Sequence, residues 1–236
     1  MVTLTYQERF KTLNGVFDSF TDRTLFSLQG KGAFDELVSP LKVGKESNVF
    51  TAVKDKKKVI VKIYRMQNCD FNKMYDYIRK DPRYEFLKKQ RRSIIIAWTQ
   101  REYKNLLKAE KAKISVPKAI ACKNHILVEE FIGDNDAAPP LKDTIPINPE
   151  KFLEDIIIQV KNLFNAGLIH GDLSSFNILN YHEKPILIDF SQSTLTKTPN
   201  SPELLKRDLK NILQFFRKLG IHKDEEKVFK RITKKK

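Results

Sequence analysis

The sequence has few cysteines and lacks any long apolar run. Its two cysteines, Cys69 and Cys122, are far apart and do not have the spacing of metal ligands. Such cysteines fit a reducing intracellular compartment, and no other feature supports a disulfide between them. No apolar run approaches the roughly 20 residues that span a membrane, and the first residues, MVTLTYQERFKTL, lack the apolar block of a signal peptide. These absences predict a soluble cytoplasmic protein with no membrane partner.

The charge of the chain is strongly unbalanced. Its 236 residues include 44 Lys and Arg against 29 Asp and Glu, which gives a formal net charge of +15 at pH 7. Since 41% of the residues are hydrophobic, the chain can still bury a core. A surface of this charge suits an anionic partner, and nucleic acid is favoured over membrane because no basic amphipathic helix stands out. The alternative is a generally lysine-rich surface without a specific partner.

Glycine is sparse where a phosphate-binding loop would need it. The string GKESNVF contains a single glycine, so on its own it is as typical of an ordinary hairpin as of a phosphate loop. It lies in VGKESNVFTAVKDKKKVIVKIY, residues 43–64, whose alternating and β-branched residues predict strand, turn and strand, with residues 55–58 at the tip.

The order of elements predicts an α+β fold with a small β-rich lobe, a mostly helical lobe and a cleft between them. We assign residues 1–40 to a helical N-terminal extension, 41–133 to the N-lobe, 134–222 to the C-lobe and 223–236 to a basic tail. Residues 66–92 combine charges with scattered aromatics and predict a flexible loop within the N-lobe. This loop either binds RNA through phosphate contacts and stacking or is simply solvated.

Three further helices are indicated. From residue 93 onward, Ile95, Trp98, Glu102 and Leu106 share one helical face, so Glu102 lies in an otherwise apolar stripe. This carboxylate either pairs with a cation or lies at the edge of the stripe and reaches water. The pairs Asn148–Pro149 and Ser201–Pro202 predict the starts of the other two helices.

The run GLIHGDLSSFNILNYHEKPILIDFSQS, residues 167–193, places two aspartates at the ends of apolar segments. Asp172 follows LIHG and Asp189 follows ILI, although a buried aspartate is costly unless it is paired or holds a metal. Together with Asn177 they supply a base and two oxygen ligands suited to Mg²⁺. Lys62, at the end of VIVK, is placed to contact phosphates, and His170 is interpreted as a core histidine that supports the loop. The pattern predicts a phosphoryl-transfer site.

These motifs carry a resemblance to known kinases. HGDLSSFN resembles the H-x-D-x-x-x-x-N catalytic loop of eukaryotic-like protein kinases, while IDFS and VIVK stand where those kinases have Asp-Phe-Gly and Val-Ala-Ile-Lys. The strings GKESNVFTA, VKIY, WTQREYKNL, VEEFIG, APPLK, HGDLSSFNIL and LIDFSQS resemble, more narrowly, the RIO family of atypical serine/threonine protein kinases. Within it, the chain is similar to the subgroup without a winged-helix domain. The resemblance implies a two-lobed protein-kinase-like fold with a truncated C-lobe.

The resemblance also implies ATP and Mg²⁺ as cofactors and gives roles to individual residues. Adenine would lie against the backbone of Glu130 and Ile132, and Mg²⁺ would be held by Asn177 and Asp189. Asp172 would orient and deprotonate the attacking group. Asp189 would also accept the phosphoryl group, giving an aspartyl-phosphate that water later hydrolyses. The residues expected at the ATP phosphates are Val43, Ser47, Asn48 and Lys62, with Glu102 as the partner of Lys62.

The family's biology implies a role in late maturation of the small ribosomal subunit, with its precursor and pre-rRNA as partners, and autophosphorylation within the flexible loop. Two departures bear on this expectation. Glu129 stands at the back of the adenine pocket, where the family usually has an apolar residue, and Gly171 stands where regulated kinases have Arg. The segment after Asp189 is also too short for the activation segment that holds a peptide in ordinary protein kinases. The protein substrate stays unknown.

Two other functions fit parts of the pattern. A nucleotide-sensing, RNA-binding scaffold would use ATP to set its shape with almost no turnover, but the complete set of Asp172, Asn177 and Asp189 argues against it. A small-molecule phosphotransferase is the second, because aminoglycoside and choline kinases also contain HGDL. GKESNVF and IDFSQS argue against this second alternative.

Overall fold

The computed structural model describes residues 16–67 and 69–234. The first 15 residues of the predicted N-terminal extension therefore lie outside the described residues. The chain divides into two compact units. Unit 1 comprises the described residues up to Arg79 with Tyr84–Tyr103 and Ala119–Phe131, and unit 2 comprises Lys80–Arg83, Lys104–Lys118 and the described residues from Ile132 onward.

Unit 1 is built on a five-stranded antiparallel sheet. Helix α1 (Ser19–Gly30) precedes the sheet, and Asp18 caps it by accepting a hydrogen bond from Thr21 N at 2.7 Å. The strands are β1 (Glu36–Val43), β2 (Ser47–Lys54), β3 (Lys57–Tyr64), β4 (Ala119–Lys123) and β5 (Ile126–Glu130). Their order in the sheet is β1-β2-β3-β5-β4. Strand β1 begins inside the predicted extension, so residues 36–40 belong to the sheet.

The predicted strand-turn-strand is present as β2 and β3. Asp55 and Lys56 form the turn with φ of 48° and 62°. Positive φ at both central residues is typical of the tight turn that matches the twist of a hairpin. Its register sets Lys62 opposite Val49 and buries Phe50, Val61 and Ile63 on the core side.

Residues 66–92 differ from the flexible loop that the sequence predicts. They contain helix α2 (Phe71–Ile78), which Asp70 caps by accepting from Lys73 N at 3.0 Å, and a 3₁₀ turn at Pro82–Tyr84. Met74 and Ile78, four residues apart, are buried against Trp98 and its neighbours. An eight-residue helix offers only two turns of periodicity. Its apolar pattern was therefore hard to recognise among the surrounding charges.

Helix α3 (Arg91–Lys111) contributes its first part to unit 1 and its last part to unit 2. The predicted shared face is confirmed, since Ile95, Trp98, Glu102 and Leu106 are all buried.

Unit 2 is mostly helical. Helix α4 (Pro149–Asn165) begins as predicted, with Asn148 accepting from Lys151 N at 2.9 Å. Four short strands follow, β6 (Leu168–Ile169) paired with β9 (Thr194–Leu195), and β7 (Ile178–Tyr181) paired with β8 (Lys184–Leu187). A 3₁₀ turn at Phe190–Gln192 precedes β9, and helix α5 spans Ser201–Arg217.

The end of the chain differs from the predicted solvated tail. Residues Glu225–Thr233 form helix α6, capped by Asp224, which accepts from Lys227 N at 2.7 Å. Val228 and Ile232 are buried where α6 packs on α4 and α5, and Arg231 pairs with Glu154. The four-residue spacing of these two apolar side chains is the signal that the high charge of the segment obscured.

Cys69 and Cys122 are both free thiols. Within residues 16–67 and 69–234, no helix combines the length and apolar character needed to cross a membrane.

Candidate active site

Lys62 and Glu102 form a buried ion pair in unit 1. Lys62 Nζ lies 2.8 Å from Glu102 Oε1, and the side chains are 9% and 1% exposed. Tyr64 OH donates to the other carboxylate oxygen, and its ring centroid lies 5.2 Å from Lys62 Nζ. The predicted pair is therefore present and explains the carboxylate in the apolar stripe of α3. Because a buried ammonium needs a partner, Glu102 fixes both the charge and the position of Lys62.

The turn between β1 and β2 is tightly closed. Gly44 N donates to Ser47 O at 2.9 Å, and a Cβ at Gly44 would lie only 2.7 Å from that oxygen. This explains why glycine is required at position 44. Val43 at the end of β1 is 60% exposed.

Asn48, at the start of β2, is fully buried, yet neither side-chain amide atom has a hydrogen-bond partner among the described residues. Buried amides are nearly always paired, so this amide has free capacity to bond a ligand group. Val43, Ser47 and Asn48 thus flank a tight turn, and Asn48 carries an unsatisfied amide.

Glu130 is the last residue of β5, and Ile132 follows just after the strand. Glu130 pairs in register with Val59 of β3, and the carbonyl of Ile132 accepts from Ala138 N at 2.9 Å. Both residues are half-buried, as is Glu129, which pairs in register with Ile60.

In unit 2, Asp172 is held by two amides. Asn177 Nδ2 donates to the Asp172 carbonyl at 2.8 Å and approaches Asp172 Oδ2 at 3.5 Å. Gln192 Nε2 donates to the same carboxylate oxygen at 3.1 Å. These two amides therefore orient the carboxylate of Asp172.

Asp208 on α5 holds the backbone in place on both sides of Asp172. Its two carboxylate oxygens accept from Gly171 N at 2.7 Å and Leu173 N at 2.8 Å. Burial raises the pKa of Asp208 to about 7, although these two hydrogen bonds oppose the shift. Arg207 also donates to the Gly171 carbonyl.

Asp208 was not among the site residues predicted from the sequence. The signal was available, because it is a carboxylate within the apolar stripe of α5, as Glu102 is within that of α3. Leu204, Leu205, Leu209 and Ile212 around it are all buried.

His170 is confirmed as a supporting core histidine. It is 2% exposed, its Nε2 lies 3.0 Å from the Ile188 carbonyl, and its ring centroid is 4.8 Å from that of Phe190. Burial lowers the pKa of His170 to about 4, so the ring is neutral near pH 7. It joins the segment before Asp172 to the segment before Asp189.

Asp189 adopts a left-handed conformation, with φ 62° and ψ 71°. Such a conformation at a residue other than glycine costs about 1–3 kcal/mol and is common at functional sites. Ile188 N donates to Asn177 O at 3.0 Å, so the backbone segments that carry Asn177 and Asp189 are directly joined. The structure therefore brings together the two predicted Mg²⁺ ligands.

Asn105 lies on α3, one helical turn after Arg101. It supports the turn that follows Asp189. Its Nδ2 donates to Phe190 O at 3.2 Å and to Ser193 O at 2.7 Å. Its Oδ1 accepts from Arg83 Nη1 at 2.9 Å, and Arg83 also pairs with the fully buried Asp81. The sequence analysis missed this network, because its members are far apart in the chain.

The donor set fits Mg²⁺ bound together with phosphates. No cluster of three His, Cys, Asp or Glu that could hold a metal occurs in the part of the chain that the structure describes. Mg²⁺ at kinase-type sites takes one or two protein oxygens and completes its shell with phosphate and water. Asn177 uses its Nδ2 within the loop, so Oδ1 is the amide atom that remains for a cation, beside the carboxylate of Asp189.

Comparison with known proteins identifies relatives of the whole chain. Residues 48–229 match the model of the RIO domain family. The RIO-type serine/threonine-protein kinase Rio1 of Methanocaldococcus jannaschii is 41% identical over 98% of this chain and 80% of its own length. The protein of the same name from Haloferax volcanii is 36% identical over 96% of this chain and 79% of its own length.

Among solved structures, the Rio2 kinase–ADP/Mg²⁺–phosphoaspartate complex of Chaetomium thermophilum superposes with a TM-score of 0.70. It is 22% identical, and the match covers 91% of this chain and 66% of that one. An identity this low shows the fold alone. The predicted α+β, protein-kinase-like fold is thereby confirmed, with a small β-rich unit and a mostly helical one.

Proposed function

The chain belongs to the RIO family of serine/threonine protein kinases, and we propose that it transfers the γ-phosphoryl group of ATP with the residues described above. The fixed position of Asp172 carries this proposal, since Asn177 and Gln192 orient its carboxylate and Asp208 holds the adjacent backbone. As the base, Asp172 accepts the proton of the attacking group.

Unit 1 supplies the groups that bind the nucleotide. Lys62, fixed by Glu102, neutralises phosphate oxygens. The orphaned amide of Asn48 and the backbone at Ser47 donate to further phosphate oxygens, and Val43 covers them. Glu130 and, from unit 2, Ile132 present backbone groups to adenine. Buried groups that are already oriented need no rearrangement when charge develops, which is the main way in which such sites accelerate phosphoryl transfer.

In unit 2, Asn177 Oδ1 and the Asp189 carboxylate would hold Mg²⁺, which would supply positive charge to the phosphates of ATP. The orphaned amide of Asn48 and the oxygen-only donor set support ATP and Mg²⁺ as the cofactors.

The proposal extends to an aspartyl-phosphate on Asp189. An Asp189 oxygen would attack the γ-phosphorus, the bond to the β-phosphate oxygen would break with release of ADP, and water would later hydrolyse the acyl phosphate. Two observations support this step. Asp189 is held in a strained backbone conformation, and the similar Rio2 kinase of Chaetomium thermophilum forms an ADP/Mg²⁺–phosphoaspartate complex.

The nucleotide site is tested by titration calorimetry with ATP, with and without Mg²⁺. We expect Lys62→Ala to weaken binding in both conditions and Asp189→Asn to weaken only the Mg²⁺-dependent part. Lys57→Ala, which removes an exposed lysine from the same strand, is the matched control and should bind as the wild type does. Binding that ignores Mg²⁺ and Asp189 would contradict the assignment.

We place this activity in maturation of the small ribosomal subunit, with the subunit precursor and its rRNA as partners. The net charge of +15 supports a partner rich in phosphate, and the family resemblance supports this particular one. The test is co-sedimentation with precursor subunits at increasing salt, where binding should weaken steeply because counterions are displaced from RNA. Failure to co-sediment at low salt would contradict this setting and leave the enzyme activity untouched.

A further inference from the structure

A groove of about 560 Å³ lies within unit 2, next to the loop that carries Asp172. One wall is the loop itself, through Ser174, Ser175 and Phe176. The other wall is the last part of α5, where Phe215, Arg217 and Lys218 contribute. This volume is large enough for several amino-acid side chains and lies within the usual range of ligand sites.

The groove is lined by both apolar and basic side chains. Phe176 is 60% exposed, and Lys142 Nζ lies 5.1 Å from its centroid. With Phe215 it gives the groove apolar surface rimmed by polar groups, an arrangement typical of surfaces that bind partners. An apolar side chain of a bound segment would contact Phe176 and Phe215.

On the α5 wall the positive charge of the groove is not compensated, and beside the loop wall Asp143 is paired with Lys142 at 2.9 Å. Between residues 204 and 220 the only acid is Asp208, and it is buried beneath the Asp172 loop. Arg217 and Lys218 are exposed, and neither forms an ion pair within the described ranges. The exposed side chains that precede them on the same wall, Asn211 and Gln214, are neutral. The groove therefore complements negative charge.

The helix fixes how far this charge lies from the reacting centre. Arg207 donates to Gly171 O and Asn211 Nδ2 to Leu173 O, so this part of α5 is attached to the Asp172 loop. With a rise of 1.5 Å per residue, Arg217 and Lys218 lie about 9–16 Å farther along the axis, which an extended peptide covers in about three to five residues.

We propose that this groove docks the protein substrate, and that it selects acceptors with acidic residues about three to five positions from the phosphorylated residue. The inference rests on the proposed role of Asp172 as the base. It also accounts for how an acceptor is held although the next helix after Asp189 already begins at Ser201. A peptide is favoured over RNA because the groove is short, has an apolar wall and adjoins the residue that would deprotonate a hydroxyl.

The test uses two serine peptides of equal length. One carries Asp and Glu three to five positions away on both sides of the serine, and the other carries Asn and Gln at those positions. We expect the KM of the acidic peptide to be at least tenfold lower, with a similar kcat. In the double variant Arg217→Gln/Lys218→Gln, the two KM values should become equal, while ATP hydrolysis without peptide stays unchanged.

The matched control is Lys227→Gln/Lys230→Gln, which removes the same charge from exposed positions of α6 and should keep the preference. Fluorescence anisotropy of a labelled acidic peptide, without nucleotide, separates docking from catalysis. A wild type that binds this peptide through Arg217 and Lys218 but neither hydrolyses ATP nor transfers phosphate to itself or the peptide would overturn the proposed function and retain the groove. Equal KM values in the wild type, or loss of single-stranded RNA binding in the double variant without any peptide preference, would overturn the groove as a peptide site.

Discussion

Asn105 and Ser193 are joined by a hydrogen bond of 2.7 Å, from the side-chain amide of α3 to the backbone carbonyl just after the Asp189 turn. A second bond from the same nitrogen reaches Phe190 O. A side chain 84 residues upstream of Asp189 thus supports the strained conformation at that aspartate, which alone would be unfavourable.

Asn105→Ala removes both bonds and should lower the free energy of unfolding by about 1–3 kcal/mol, because buried carbonyls lose their donor. If Asn105 positions Asp189, the variant should also need more Mg²⁺ for half-maximal rate. Urea unfolding and Mg²⁺ titrations of ATP turnover measure the two effects. Asn162→Ala, at an exposed helical position of α4, is the control. An unchanged Mg²⁺ requirement in a destabilised Asn105→Ala protein would mean that the residue only supports the fold.

Glu102→Gln should raise the KM for ATP at least tenfold, because Lys62 loses its charged partner and is no longer held in one position. Breaking a buried pair in this way destabilises proteins by about 3–5 kcal/mol when one charge is left alone, so thermal unfolding is followed in parallel. Tyr64→Phe keeps the ion pair and should show a smaller change. Glu110→Gln removes an exposed carboxylate from the same helix and should leave the KM as it is; a comparable increase there would argue against a specific role of the pair.

Gly44→Ala should weaken ATP binding about tenfold, the equivalent of about 1.4 kcal/mol. The new Cβ would lie 2.7 Å from Ser47 O, so the turn has to open and move Ser47 and Asn48. Gly30→Ala is the matched control, since a Cβ added at Gly30 would point into open space. Equal ATP affinities in Gly44→Ala and the wild type would show that this turn does not contact the nucleotide.

Asp208 makes folding stability depend on pH. Its pKa in the folded protein is about 7, against an ordinary value of 3.8. Between these values the folded protein binds a proton that the unfolded chain does not, so this group stabilises the fold at low pH, and its contribution is lost as pH rises through about 7. From pH 5 to pH 8 the free energy of unfolding of the wild type should therefore fall more than that of Asp208→Asn.

His170 contributes in the opposite direction, because its pKa is lowered to about 4 and its neutral form is favoured by the fold. It is present in both proteins, so it cancels when their urea-unfolding curves are compared at each pH. Parallel pH dependences of the two proteins would contradict the raised pKa of Asp208.

Local patterns in the sequence were enough to predict much of the architecture. The β2–β3 hairpin, the start of α4 at Asn148 and the buried face of α3 all follow from nearest-neighbour chemistry and periodicity. The motif residues Lys62, Asp172 and Asp189 were found because each interrupts or ends an apolar run. Helices α2 and α6 were missed, since each of them buries only two apolar side chains and both stand among charged residues.

The supporting contacts were not predictable in the same way. Asn105 and Asp208 act on backbone groups 35 or more residues away, as in the hydrogen bond from Leu173 N. Such a contact leaves no spacing pattern in the sequence, because the fold decides which backbone group a buried polar side chain bonds. A polar residue within an apolar helical stripe is the one trace that they leave in the sequence.

The central claim is that these residues bind Mg²⁺ and ATP and transfer the γ-phosphoryl group. Its most direct test is incubation with γ-labelled ATP and Mg²⁺ beside Asp172→Asn and Asp189→Asn, with released phosphate and protein-bound label counted before and after hydroxylamine. We predict turnover in the wild type, loss of turnover in both variants, and a hydroxylamine-labile label that is absent from Asp189→Asn. Tight nucleotide binding by the wild type with neither turnover nor label would contradict the account and indicate a nucleotide-sensing scaffold.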